Sequence, residues 1–145
     1  MTSQYFDIKP IAGRIGAKII GVDLSSHLSD EIISDIRKAL VKYKVIFFRE
    51  QNIDANQQIA FARRFGELTT AHPTVPSLPD NPEILDLNYS KTVARANNWH
   101  TDVTFVDRPP LGSVLRALVI PPSGGDTIWA NSATAYQDLP TRHLR

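Results

Sequence analysis

Pro73, Pro76, Pro79 and Pro82 interrupt the chain repeatedly between Thr69 and Asn98, so no long helix can run through its middle. Only Glu83–Leu87 in that stretch reads as a strand. A long irregular segment between ordered pieces is often a lid or a binding loop. The two flanks differ in pattern. Before the break, Ile11–Leu24 alternates loosely around Gly13, Gly16 and Gly21 and reads as a hairpin or two short strands. Ser29 caps a helix with Asp30 and Glu31 in its first turn, and Ile32, Ile33, Ile36, Leu40 and Val41 form its apolar stripe. Val45–Phe48 reads as a short buried strand. A second amphipathic helix starts at Asp54 or Asn56, carries Ile59, Ala60, Ala62 and Phe65, and ends near Gly66. After the break come strand-like runs at Ser113–Ile120 and Asp126–Ala130, separated by a Pro121–Gly125 turn, and a helix start around Asn131–Leu139. Helices early and strands late imply a β-rich core with flanking helices.

The residues with the most chemistry lie just past the proline-rich stretch, in His100-Thr101-Asp102. Side chains two apart in an extended segment share a face. An imidazole nitrogen and a carboxylate oxygen on one face can take adjacent positions on a metal ion. Two histidines and one carboxylate form the facial triad of non-haem Fe(II), which leaves positions open for chemistry. His100 and Asp102 supply two of those three ligands, and no third is evident. The plain alternative is a hydrogen-bonded pair at a strand end.

Composition narrows the classes. With 16 Lys and Arg against 15 Asp and Glu, the net charge of +1 gives no pull toward nucleic acid or a membrane surface. No apolar run approaches a membrane span, and the first residues carry no signal-peptide pattern, so a cytoplasmic location is expected. The chain has no Cys, which leaves His and carboxylate as the available strong metal ligands. Residues 1–145 suit a single domain by length, and a homo-oligomer is compatible with the sequence.

Several segments together resemble the taurine/alpha-ketoglutarate dioxygenase family, which includes alkyl sulfatases. They are Trp99–Phe105, Pro109-Pro110, Gly124–Trp129, the Gly-rich opening Gly13–Leu24, Val45–Gln51 and Phe61–Gly66. The match runs in order along nearly the whole chain, and its specificity comes from the set rather than from any one piece. It implies a double-stranded β-helix (jelly roll) with helices packed outside it. It further implies Fe(II) bound by His100 and Asp102, and 2-oxoglutarate as cosubstrate with one carboxylate held by Thr127. The family's second iron-binding His and its 2-oxoglutarate-binding Arg fall later than Arg145. The chain is therefore expected to be the N-terminal portion of one dioxygenase domain, truncated at its C-terminal end. His143 is the one late histidine here, and it falls in a segment that the family uses as an outer helix.

The same resemblance suggests a substrate. His72 corresponds to a His that contacts the sulfonate; taken alone it would be a surface loop residue. Taurine-specific members have Tyr where this chain has Val75, and Asn where it has Ala96, with Asn97 and Asn98 close by. Both changes favour a longer alkyl chain over a small amino-sulfonate. The implied reaction consumes O2 and 2-oxoglutarate and hydroxylates the carbon next to the sulfur group. It yields succinate, CO2, an aldehyde and sulfite or sulfate. Rival readings keep the iron chemistry on an aryloxyalkanoate or other carboxylate, or treat the chain as a non-catalytic fragment. Trp99 and Trp129 are expected to be core aromatics, and Thr127 on its plainer reading is a β-branched strand residue.

Overall fold

A computed structural model describes residues 2–69, 76–88 and 98–140. The chain forms two compact units, Met1–Asn52 with Leu118–Arg145, and Ile53–Ala117.

The first unit is built around a three-stranded sheet in the order β1 (Asp7–Pro10), β2 (Ala17–Ile20), β3 (Ile46–Phe48). β1 and β2 form an antiparallel hairpin, paired from Asp7↔Ile20 to Pro10↔Ala17, so of the expected Ile11–Leu24 span only β2 is a strand and the first arm lies ahead of it. Gly16 takes φ 85°, a left-handed value that L side chains rarely adopt, at the point where the loop enters β2. β2 pairs with β3 in parallel. Parallel neighbours need a long crossover, and helix α1 (Asp30–Tyr43) supplies it. The Ser29 side chain accepts from the Ile32 N–H at the start of α1, as expected. Its buried stripe is Ile33, Ile36 and Ala39, whereas Val41 is 64% exposed. Five residues of helix place Val41 about 140° round from Ile36, on the wet side. β2 buries Ala17 and Ile19 and turns Lys18 and Ile20 outward. β3 is only half-buried, less covered than its apolar sequence suggests.

The Gln51 side chain ties the end of the sheet region together. Its Oε1 accepts from the Leu24 N–H at 2.8 Å, and its Nε2 donates to the carbonyls of Val22 at 3.0 Å and Arg49 at 2.9 Å. Helix α3 (Ser132–Gln137) forms where expected and is capped by Asn131. The Asn131 amide donates to the Arg14 carbonyl at 2.7 Å, and the Arg14 guanidinium grips the Asp138 carboxylate through both oxygens. That contact holds the Asp138 carboxyl below the usual carboxylate range. The pair is solvent-exposed, so it fixes position more than it adds stability.

In the second unit, helix α2 (Ala55–Arg63) begins with a reciprocal capping box between Asp54 and Gln57. Ile59 and Phe61 are its buried residues, and Phe61 packs edge-on to Phe65 at 5.2 Å between ring centres. β4 (Ser77–Leu78) and β5 (Asn81–Leu85) form an antiparallel hairpin through Pro79-Asp80. β5 starts two residues before the expected strand and takes in Pro82, which an edge position tolerates. Arg63 joins Glu83 at 2.7 Å, and the Gln58 amide donates to the Val114 carbonyl at 3.0 Å.

Two strand expectations fail. Ser113–Ile120 and Asp126–Ala130 are not strands. A strand needs a neighbour for its backbone N–H and C=O groups, and no described strand pairs with either run. Their apolar side chains lie open, with Val119 91% and Ile128 68% exposed. The two small sheets therefore do not by themselves make a double-stranded β-helix. Trp99 is 69% exposed and is not a core aromatic. Trp129 is 44% exposed and meets Phe47 edge-on at 5.4 Å. Replacing the fully buried Ile36 by Ala is expected to lower stability by about 2–5 kcal/mol. Urea denaturation measures this, and a loss below about 0.5 kcal/mol would remove α1 from the core.

Candidate metal centre

Asn98–Thr101 belongs to no helix or strand, and a turn begins at Asp102. The pleat that would align His100 with Asp102 is therefore absent, yet their heads meet. His100 Nε2 lies 3.2 Å from Asp102 Oδ1. Two ligands at right angles on a metal with bonds of about 2.1 Å would stand about 3 Å apart. The observed separation suits one edge of such a coordination sphere.

The other ring nitrogen decides the chemistry of that edge. His100 Nδ1 lies 2.8 Å from the Asn98 carbonyl oxygen. A carbonyl can only accept, so this contact puts a proton on Nδ1, and in the neutral ring Nε2 then carries the lone pair. In that form Nε2 and a carboxylate oxygen of Asp102 are two acceptors facing each other. Such a pair is repulsive unless a cation or a proton lies between them. Orientation of a ligating His through its second nitrogen is a common feature of metal sites. Both side chains are open to solvent, His100 at 56% and Asp102 at 76%, so an ion can reach the edge directly.

Among the described residues no cluster of three or more His, Cys, Asp or Glu joins this pair. Thr127 is exposed on an irregular segment of the first unit, while His100 and Asp102 belong to the second. Asn98 meets His100 through its backbone carbonyl, a contact that sequence spacing did not reveal. His72, Val75, Ala96 and His143 lie outside the described residues.

The family profile described as taurine catabolism dioxygenase TauD, TfdA family matches residues 7–145. The chain belongs to that family. An alpha-ketoglutarate-dependent sulfate ester dioxygenase of Pseudomonas putida is 52% identical to this family member over 135 residues, spanning 92% of this chain and 44% of its own length. An alkylsulfatase of Acinetobacter baylyi is 48% identical over 139 residues, spanning 95% of this chain and 43% of its own. The crystal structure of a taurine dioxygenase from Burkholderia xenovorans matches with a TM-score of 0.85 at 41% identity, over 95% of this chain and 49% of that one. The chain thus spans less than half the length of these relatives.

In the protein extended to the length of its relatives, replacing His100 or Asp102 by Ala is expected to weaken Mn(II) binding by about 100-fold or more. Electron paramagnetic resonance of free Mn(II) during a titration measures this. Binding within about threefold of the parent would take the altered residue out of the centre.

Proposed function

We propose that this chain is the N-terminal portion of an Fe(II)- and 2-oxoglutarate-dependent dioxygenase acting on alkyl sulfates or sulfonates, with alkyl sulfates favoured. The observation that carries the reading is the His100 Nε2–Asp102 Oδ1 edge, whose separation suits two adjacent ligands of one cation. The substrate class draws support from the relatives named as a sulfate ester dioxygenase and an alkylsulfatase. A cytoplasmic enzyme fits this chemistry, and among the described residues no helix is long and apolar enough to cross a membrane.

In this reading His100 and Asp102 hold the iron together with a His from later chain, and the Asn98 carbonyl keeps the His100 proton on Nδ1. Thr127 and a later Arg fix the end of 2-oxoglutarate away from the iron. His72 meets the sulfur oxyanion, Val75 lines an apolar channel for the alkyl chain, and Asn98 borders the substrate. When bound, iron with 2-oxoglutarate and O2 supplies the oxidation that makes succinate and CO2 and places a hydroxyl on the carbon beside the sulfur group. The protein's own part is orientation, bringing the target C–H bond to the open positions and keeping competing groups away. Loss of the hydroxyl proton then expels sulfate and leaves the aldehyde. One oxygen atom enters succinate and the other enters the substrate, so the atoms balance.

The whole protein is proposed as a jelly roll in which Ser113–Ile120 and Asp126–Ala130 pair with strands from later chain. Their exposed Val119 and Ile128 support this. A second reading, a non-catalytic fragment, is favoured by the lack of a third ligand among the described residues. Product assays separate the two. The reading frame extended to the length of its relatives is expected to release sulfate and succinate in equal amounts from a linear alkyl sulfate. The 145-residue chain is expected to release neither. Clear preference for taurine in the extended protein would defeat the substrate reading, and succinate without sulfate or sulfite from any sulfur substrate would defeat the sulfur chemistry altogether.

A further inference from the structure

Among the described residues, the run Asp126–Ala130 takes part in no hydrogen bond or ion pair, although it carries Thr127. Two contacts at or just past its C-terminal end attach it to the first unit. The Trp129 ring meets Phe47 edge-on with 5.4 Å between centres, and the Asn131 amide donates to the Arg14 carbonyl at 2.7 Å. Phe47 is a fixed seat for that ring. It lies in the middle of β3 and is the register partner of Lys18, so it stands on the face of the sheet opposite to the buried Ala17 and Ile19. Gly16 borders it, since a β-carbon there would stand 3.6 Å from Phe47 Cε2, and the Arg49 guanidinium lies 5.9 Å from its centre. The turn before the run folds on itself instead. Gly125 takes φ 70°, and a β-carbon on it would press on Pro121 of the same turn at 3.2 Å.

We propose that Trp129 is a positioning residue for the cosubstrate contact: its ring, seated on Phe47, pins the register of Asp126–Ala130 and so the face on which Thr127 stands. The inference rests on reading Thr127 as a residue that fixes the far end of 2-oxoglutarate. Thr127 is two residues from the Trp129 seat, a chain span of about 7 Å, and four from Asn131, about 14 Å. Without the ring, the free span between Thr127 and its nearest attachment roughly doubles. Pairing with a strand from later chain does not replace the seat. Backbone hydrogen bonds alone leave register open, and a slip of one residue turns every side chain of a strand to the opposite face. A large ring with one place to sit excludes that slip. Another aromatic ring can take the seat edge-on, whereas an Ala methyl group cannot reach Phe47.

The test uses the protein extended to the length of its relatives, loaded with Fe(II) without oxygen and titrated with 2-oxoglutarate, with visible absorption as readout. Thr127→Ala, Trp129→Ala and Phe47→Leu are each expected to weaken 2-oxoglutarate binding by about fivefold or more, while Fe(II) itself binds as in the parent. Trp129→Phe is expected to stay within about twofold of the parent. Trp129→Ala combined with Thr127→Ala is expected to lose no more than Thr127→Ala alone, because the ring acts through Thr127. Hydrogen exchange supplies a readout free of metal and cosubstrate. In Phe47→Leu, whose run is chemically unaltered, the amides of Asp126–Ala130 are expected to exchange about tenfold or more faster. Parent-like affinity in Trp129→Ala and Phe47→Leu, with Thr127→Ala weakened, would overturn the inference and leave the Thr127 reading standing. Additive losses in the double variant would overturn it too. Parent-like affinity in Thr127→Ala would overturn the Thr127 reading and this inference with it. If Trp129→Ala does not fold, Phe47→Leu alone and combined with Thr127→Ala decides the matter by the same criteria.

Discussion

The first unit depends on β2 being paired on both edges. It takes β1 as an antiparallel neighbour and β3 as a parallel one, while Ala17 and Ile19 point into the core. The parallel pairing forces the crossover, and the crossover is α1, whose Ile36 has no exposed surface. Local chemistry therefore meets long-range pairing in one strand. The chain enters β2 through a glycine with positive φ and leaves it toward Val22 and Leu24, whose backbone is held by Gln51. The Arg14 grip on Asp138 and the Asn131 contact to the Arg14 carbonyl attach α3 to the same hairpin.

The proposed centre follows a different logic, because no regular element carries it. The imidazole of His100 lies between two oxygens, the carbonyl of Asn98 at Nδ1 and the carboxylate of Asp102 at Nε2. Fixing the proton on one nitrogen prepares the other as a ligand before any ion arrives. Both groups are exposed, so the edge is open to water and to an incoming cation alike.

What could be read from the residues divides along the range of the interactions. Ser29 with Asp30 and Glu31 is a local signal, and α1 begins where it points; of the two starts open to the second helix, Asp54 and Asn56, Asp54 is the cap, closed by Gln57. The turn region around Gly13 and Gly16 is equally local, but the first arm of its hairpin, Asp7–Pro10, lies ahead of the glycines that signal it. Ser113–Ile120 and Asp126–Ala130 carry strand-like residues, but a strand exists only with a partner, and that partner is not among the described residues. β4 escaped notice because two residues between prolines carry no periodicity. The meeting of His100 and Asp102 was legible from their spacing, though the expected pleat was not the means. The turn at Val103 was not legible, since a β-branched residue argues for extended backbone. The membership of the family came from many short segments in order, and the profile match over residues 7–145 bears it out.

The central claim is that His100 and Asp102 form part of an iron centre that accepts 2-oxoglutarate. Its most direct test is anaerobic visible absorption of the protein extended to the length of its relatives, with Fe(II) added before 2-oxoglutarate. Chelation by the cosubstrate is expected to give a weak visible charge-transfer band that is absent with Fe(II) alone and absent in Asp102→Ala. No band in the parent, or an undiminished band in Asp102→Ala, would contradict the account.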